Sequence, residues 1–295
     1  MNRISIVTIC FNNLDDLKTT IAHVDSQSLP PIEHIIIDGS TKPDIKNYLA
    51  SEDLPAYRTW ISEPDKGISD AWNKGILKAT GDIIHLQNSG DYYFDDNILK
   101  LVTETFTQQP AIQWLHGKYA QFKGEAWVIS GAPFESEKLY RGFRTTGHQS
   151  MFVRKEMYKR HGLFDLQYSI CSDFDFLVRI SEEPFAFVDH PLIVFTPGGV
   201  SNTMIDKTTQ QMVDIYTKYK GFSLKNRLWL RVRVPLIHYI TETALGGFLF
   251  RLKNKSNTTH KAEVLESVKQ AVEEMKLIKE GKLKGRKAED LFDEL

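Results

Sequence analysis

Cysteine is scarce: Cys10 and Cys171 are the only two among 295 residues, and neither belongs to a CxxC pair. That excludes a disulfide-built scaffold and argues against a cysteine-ligated zinc site or a redox dithiol. Two small, buried, reduced thiols are expected instead. No apolar run is long enough to cross a bilayer. The best candidate, residues 234–250, is interrupted by His238, Glu242 and the Gly246-Gly247 pair. Charge imbalance is missing too: 37 Lys and Arg face 38 Asp and Glu, a formal net charge of -1, which gives no bulk reason to expect nucleic-acid binding. No leader-like segment precedes the first strand-like residues, so the expected location is the cytoplasm, and the sequons Asn254-Lys255-Ser256 and Asn257-Thr258-Thr259 are expected to be chance matches. Phosphate-binding P-loops, serine-hydrolase elbows and zinc motifs are also absent.

What is present is an alternation of strands and helices. Residues 4–9 are apolar and β-branched, as in a strand covered on both faces, and Phe11-Asn12-Asn13 ends the run. Leu14, Leu17, Ile21 and Val24 recur at helical spacing and predict a helix over 15–27. Strands are predicted at 34–37, 59–62 and 82–86, and helices at 43–50 and 70–80, the latter stopped by Gly81. This is the grammar of an open parallel sheet, whose ligands bind beyond the carboxyl ends of the strands. Asn12, Asp38 and Asp91 all fall at such ends. One polar strand end is usually a turn; three together point to a site.

Past residue 111 the pattern changes. Short strands are predicted at 112–116, 118–122, 126–130, 185–188 and 192–195, with helices at 157–161 and 172–181. Pro197-Gly198-Gly199 reads as a flexible loop. From residue 205 only helices are expected, at 205–220, 224–253 with a break at Pro235, and 261–280, before a polar end from Gly281.

Four segments, in this order and spacing, resemble the family 2 glycosyltransferases of the GT-A fold. The first is Ser5-Ile6-Val7-Thr8-Ile9-Cys10-Phe11-Asn12, and the second Ile35-Ile36-Ile37-Asp38-Gly39-Ser40-Thr41. The third runs from Ser62-Glu63-Pro64-Asp65-Lys66-Gly67 through Asp70-Ala71-Trp72-Asn73 to Asn88-Ser89-Gly90-Asp91. The fourth joins Gly147-His148-Gln149-Ser150, Gly162-Leu163-Phe164-Asp165 and Ser172-Asp173-Phe174-Asp175-Phe176. The resemblance covers residues 4–201. It implies an α/β, Rossmann-like GT-A domain at 1–203, with a mixed, mainly parallel sheet flanked by helices, and a C-terminal helical extension at 204–295.

A glycosyl transfer must stabilise a departing nucleoside diphosphate and activate an acceptor hydroxyl. A divalent cation, Mn²⁺ or Mg²⁺, held by a carboxylate and the phosphates suits the first task. The resemblance makes Asp91 its ligand, with His148 able to complete the shell; relatives carry further acids where this chain has Asn88 and Gly90, so cation binding is expected to depend on the diphosphate. It assigns Asp38 to the base or ribose of the donor, with Thr8 and Asn12 lining the same pocket, Asp65 near the base, Lys66 near the phosphates, and Asp70 and Asn73 facing the donor from one helix. It makes Asp173 the general base, with Asp175 as competitor and Ser172 where relatives carry an acid. Each has a plainer alternative: an Asx-turn for Asp38, a turn for Asp91 and for Asp65-Lys66-Gly67, a helix N-terminal acid for Asp70, an N-cap for Ser172. Trp72, Trp114 and Trp127 are expected to pack in the core rather than on sugar.

The stretch 225–255 carries Lys225, Arg227, Arg231, Arg233, Arg251, Lys253 and Lys255 with Glu242 its only acid. With Trp229, Tyr239 and Phe248 it is expected to make a peripheral contact with anionic lipid at the inner face of the cell membrane, the plainer alternative being a helical pair packed on the catalytic domain. The helix at 261–280, apolar at Val264, Val268, Ala271, Met275 and Ile278, packs back or serves a homodimer. The expected activity is inverting transfer from a nucleotide sugar, a UDP-sugar, to a saccharide or lipid-linked saccharide of a bacterial surface polysaccharide. A sugar-phosphate nucleotidyltransferase would place a Gly-rich, basic loop where Phe11-Asn12-Asn13 stands; a non-catalytic nucleotide-sugar-binding scaffold is kept open by Asn88, Gly90 and Ser172.

Overall fold

Strand β1 (Ile4–Cys10) is buried at every position, which is why its sequence is a continuous apolar run rather than an alternation. The computed structural model describes residues 2–123, 126–142, 146–195 and 204–234. In it β1 lies between β2 (Glu33–Asp38) and β4 (Ile83–Asn88), and β3 (Arg58–Ser62) flanks β2, all four parallel. The nine-stranded sheet continues from β4 into β8 (Met151–Arg154), β6 (Trp114–Lys123), β9 (Phe185–Phe195) and β5 (Tyr92–Tyr93), with β7 (Ala126–Ser130) paired to β6. Strand β8 runs antiparallel to β4 and β6, so the sheet is mixed and its first half parallel, as expected.

Helices cover both faces. Val7 and Ile9 of β1 point into the cluster holding α3 (Ile68–Lys78), α5 (Lys155–His161), α6 (Ser172–Ile180) and α7 (Ile205–Lys220), through Trp72, Met157, Phe174 and Ile215. Ile4 and Ile6 point the other way, toward α4 (Ile98–Gln108), and Cys10 toward α1 (Leu14–Asp25) and α2 (Asp44–Ser51). That is the period-two alternation of a strand sandwiched between helix layers. Both cysteines are free and buried, and burial raises both thiol pKa values, so neither is a nucleophile.

Three features differ from expectation. The strand pairs predicted around residues 112–122 and 185–195 are single long strands; the register between β6 and β9 shifts at Gly117-Lys118, accommodating the polar Asp189-His190-Pro191 that looked like a break. Helix α4 and strand β8 fall where the sequence pattern predicts no element. Gly81 does not stop α3, which ends at Lys78; a Cβ on Gly81 would stand 2.5 Å from Ser5 Oγ, so the glycine lets the chain enter β4 against β1.

The chain divides after Pro235, and the second unit, Leu236–Leu295, lies outside the described residues. So do the expected break at Pro235, the loop at 197–199, the sequons, the helix at 261–280, Tyr239 and Phe248. The boundary expected after residue 203 falls within the first unit, where Ile215 of α7 joins the core. Among the described residues no helix is long and apolar enough to cross a membrane.

Candidate active site

At the end of β1 the chain turns through Asn12, the one non-glycine residue with positive φ (54°) among those described. Asparagine tolerates this conformation. Its backbone N–H donates to Ser40 Oγ at 2.8 Å, its side-chain amide donates to Thr41 Oγ1 at 3.0 Å, and its Oδ1 accepts from the Lys42 N–H at 3.1 Å. The β1 and β2 loops are thereby locked together. Asp38, at the end of β2, is buried; Oδ1 accepts from the Ser40 N–H at 3.0 Å and Oδ2 from the Ser62 hydroxyl at 2.8 Å. The Asx-turn therefore forms, and it holds the carboxylate at the strand end.

Asp65 joins this cluster through Gly39. A Cβ on Gly39 would lie 1.8 Å from Asp65 Oδ2, so only glycine lets the carboxylate settle there. The other oxygen, Oδ1, accepts from the Gly67 N–H at 2.8 Å. Asp70 reaches back from the first turn of α3 to the Lys66 N–H at 2.9 Å, satisfying a backbone donor beside the helix N-terminus. Lys74 holds Glu63 at 2.9 Å and the Pro64 carbonyl at 2.8 Å, fixing the same loop, and leaves the Lys66 side chain exposed.

Two expected donor contacts are used elsewhere. Thr8 is fully buried, and its hydroxyl meets His34 Nε2 at 2.8 Å. Arg58 Nε donates to His34 Nδ1 at 3.1 Å, which puts the ring proton on Nε2 and makes Thr8 the acceptor. Burial, reinforced by the Arg58 charge, keeps His34 neutral, and Arg58 pairs with Asp25. Thr8 is thus a structural link between β1 and β2, not a pocket residue. Asn73 exchanges two hydrogen bonds of 2.9 Å with the backbone of Phe164, so its amide ties α3 to the segment before α6.

The β4–β5 turn carries Asp91. Thr20 of α1 accepts from the Gly90 N–H and donates to the Asp91 carbonyl, both at 2.9 Å, and Asn13 donates to Ser89 Oγ at 2.6 Å. Gly90 takes φ of 95°, as this tight turn requires. Asp91 is held rigidly, with 3% of its surface exposed. Among the described residues no three of His, Cys, Asp and Glu converge to hold a metal, so Asp91 and His148 make no protein-only site. A single hard carboxylate fits a cation whose remaining ligands come from phosphate and water.

His148 instead approaches Asp173, with Nδ1 3.5 Å from Oδ2. Burial and then the neighbouring His85 push the His148 pKa down to about 3, so this is a neutral imidazole beside a carboxyl group and not an ion pair. Trp72 packs on His148 at 4.6 Å, and the buried Trp72 Nε1 and His148 Nε2 have no hydrogen-bond partner among the described residues. Two such atoms side by side, next to a carboxyl group, mark a candidate ligand position. Asp173 Oδ1 accepts from the Phe174 N–H at 2.8 Å, and burial pushes its pKa up to about 6 despite that bond. Asp175 is different. It is wholly buried and paired with Arg179 at 2.8 Å, and Arg179 also bonds the carbonyls of His161, Gly162 and Leu163. Ser172 is no N-cap: Cys171 holds that position, and the Ser172 hydroxyl meets Ser69 of α3 at 2.6 Å.

Sequence reasoning missed His85. It bonds the Tyr93 hydroxyl and the Gln149 carbonyl, both at 2.8 Å, and so positions the His148 segment over β4. A histidine inside an apolar strand was the available signal. Trp72 and Trp114 are core residues as expected, and Trp127 packs on Phe122 at 5.5 Å.

A mixed sheet with polar groups gathered beyond β1, β2 and β4 defines an α/β protein with a candidate ligand site at the carboxyl ends of its strands. The family model for glycosyl transferase family 2 matches residues 5–160, more than half of the chain. The chain belongs to that family and is a glycosyltransferase. It is similar to an uncharacterized glycosyltransferase of Mycobacterium tuberculosis strain H37Rv, 32% identical over 178 residues, covering 60% of this chain and 68% of the relative. A PGL/p-HBAD biosynthesis glycosyltransferase of Mycobacterium bovis BCG is 24% identical over 247 residues, 79% of this chain and 89% of its own. Two solved structures share the GT-A fold. Mannosyltransferase PcManGT from Pyrobaculum calidifontis, in complex with GDP-Man and Mn²⁺, has TM-score 0.56 at 12% identity over 90% of this chain and 83% of that one. S. aureus TarS 1-349 in complex with UDP-GlcNAc has TM-score 0.53 at 14% identity over 81% and 79%.

Proposed function

We propose that this glycosyltransferase moves a hexose from a nucleotide sugar, a UDP-sugar, to a saccharide hydroxyl with inversion at the anomeric carbon. The observation that carries this reading is Asp173: a half-buried, desolvated carboxyl group with a raised pKa, no cation beside it among the described residues, and two open polar atoms close by. Asp173 accepts the proton of the acceptor hydroxyl as its oxygen attacks the anomeric carbon, and the bond to the diphosphate breaks on the opposite face. A carboxyl group titrating near 6 is ionised at neutral pH and still basic enough to take that proton. Asp38, Asn12 and Asp65 cradle the nucleoside, with Lys66 and Asp70 at the phosphate side. Asp91 is the carboxylate that would hold Mn²⁺ or Mg²⁺ together with the diphosphate; the ion would neutralise charge on the leaving group. The name of the M. bovis relative supports a biosynthetic acceptor, which we take to be lipid-linked saccharide of a surface polysaccharide.

Calorimetric titration of UDP with Mn²⁺, then with EDTA, beside Asp91→Ala, tests the site. Metal-dependent binding that the variant loses is the expected result. Binding that ignores metal would refute the role of Asp91, and no binding of UDP, GDP or dTDP would refute the donor site.

A further inference from the structure

After α7 the chain passes Gly221 and forms α8 (Leu224–Leu228), which continues into one turn of π-helix, Trp229–Arg233. This segment has a buried line and an exposed line. Asn226 and Leu230 face inward: the Asn226 amide donates to the Tyr140 carbonyl at 2.9 Å, and Leu230 is 2% exposed. Leu224, Leu228 and Val232 face outward, 62%, 54% and 55% exposed, with Phe222 70% exposed just before them. In an α-helix each four-residue step drifts by about 40° around the axis, because a turn takes 3.6 residues. The wider π-turn closes with i→i+5 bonds and holds more than four residues, so the step from Leu228 to Val232 falls short of a full turn and reverses that drift. The apolar stripe is therefore continuous over its whole length.

Charge along this stretch of chain has one sign: Lys225, Arg227, Arg231 and Arg233 lie between Asp214 and Glu242 with no acid among them, while Lys218 and Lys220 just before them pair with Asp165 and Glu182. Several are set on aromatic rings: Arg227 over Phe222 at 4.9 Å, Lys225 over Tyr140 at 4.2 Å, and Arg233 over Trp229 at 4.1 Å. Lys225, Arg231 and Arg233 are exposed. An apolar ridge of large side chains, bordered by cations in a segment that carries no acid, matches a surface that is apolar beneath and anionic at its boundary.

We infer that Phe222, Leu224, Leu228 and Val232, bordered by Lys225, Arg227, Arg231 and Arg233, form a docking face for an anionic phospholipid surface. The apolar ridge enters the acyl boundary while the cations stay at the phosphate level. This docking is independent of glycosyl transfer.

The test is flotation of the full chain with phosphatidylcholine vesicles, with and without phosphatidylglycerol, beside a Leu228→Glu/Val232→Glu variant. Both positions are exposed, so the variant should fold, and unchanged UDP affinity and thermal melting would show that it does. The expected result is binding only to the anionic vesicles, weakened by salt as screening shortens the Debye length, and reduced about tenfold or more in the variant. Three results would overturn the proposal: no vesicle binding by the native chain, equal binding by the variant, or self-association that the variant abolishes without any vesicle binding. The last would assign the ridge to a second copy of the chain.

Discussion

His148 Nδ1 stands 3.5 Å from Asp173 Oδ2, too far for a good hydrogen bond and too deeply buried for the ring to carry charge. The carboxyl group therefore has one oxygen held by the Phe174 N–H and the other facing a neutral ring. This leaves Asp173 with no cation beside it among the described residues, while Asp175, two residues on, is paired with Arg179. The contrast separates the two acids by environment.

Turnover should follow the ionisation of Asp173. Its pKa is raised to about 6, so kcat/KM should rise tenfold per pH unit below that value and level off above it. A pH–rate profile with saturating metal checks this. A profile flat down to pH ~4.5, where an unshifted carboxylate is mostly ionised, would exclude Asp173 as the base.

Asp173→Asn should lower kcat by about 10²–10⁴-fold and yet stabilise the protein at neutral pH. The sign follows from linkage. A folded-state pKa raised above the unfolded one gives stability that is present below the unfolded value and lost as pH rises through about 6. The variant should therefore gain on the order of 1–3 kcal/mol above pH ~6.5 and nothing near pH 4, read by thermal melts at both pH values. Asp175→Asn should do the reverse, losing about 3 kcal/mol or more by breaking a buried pair.

Gly39→Ala should strike donor affinity through Asp65. The added Cβ would overlap Asp65 Oδ2 at 1.8 Å, and the flexible carboxylate can move away without unfolding the chain. UDP binding should weaken roughly tenfold to a hundredfold, on the order of 1–3 kcal/mol. Asp65→Ala should lose as much, and the double variant no more than Asp65→Ala alone.

Thr8→Val should leave donor KM unchanged and cost about 1–3 kcal/mol of stability, because the buried His34 Nε2–H loses the one acceptor it has among the described residues. Urea denaturation alongside steady-state kinetics distinguishes this from a pocket role, which would raise KM instead.

Much of the fold was legible in the chain itself. β1 and β2 are buried on both faces, so their apolar runs and the polar breaks after Cys10 and Asp38 marked them directly, and α7 matched its predicted limits. The strands β6 and β9 were read as pairs because glycine, acid and proline inside a strand look like turns until a neighbouring register shift absorbs them. Helix α8 was visible, but the π-turn that straightens its apolar stripe was not, since a helix of either kind has nearly the same residue preferences.

For the site, the sequence by itself determined which strand ends carry Asn12, Asp38 and Asp91 and that an acid pair opens α6. Those facts depend on local order along the chain. The tertiary structure decided which hydroxyl, amide or carboxylate is already engaged. Thr8 and His34 are 26 residues apart, Asn73 and Phe164 91 apart, and His148 and Asp173 meet only because α6 packs beside the loop before β8. Burial and hydrogen bonding set whether a polar group is structural or available, and both come from neighbours that are distant in sequence.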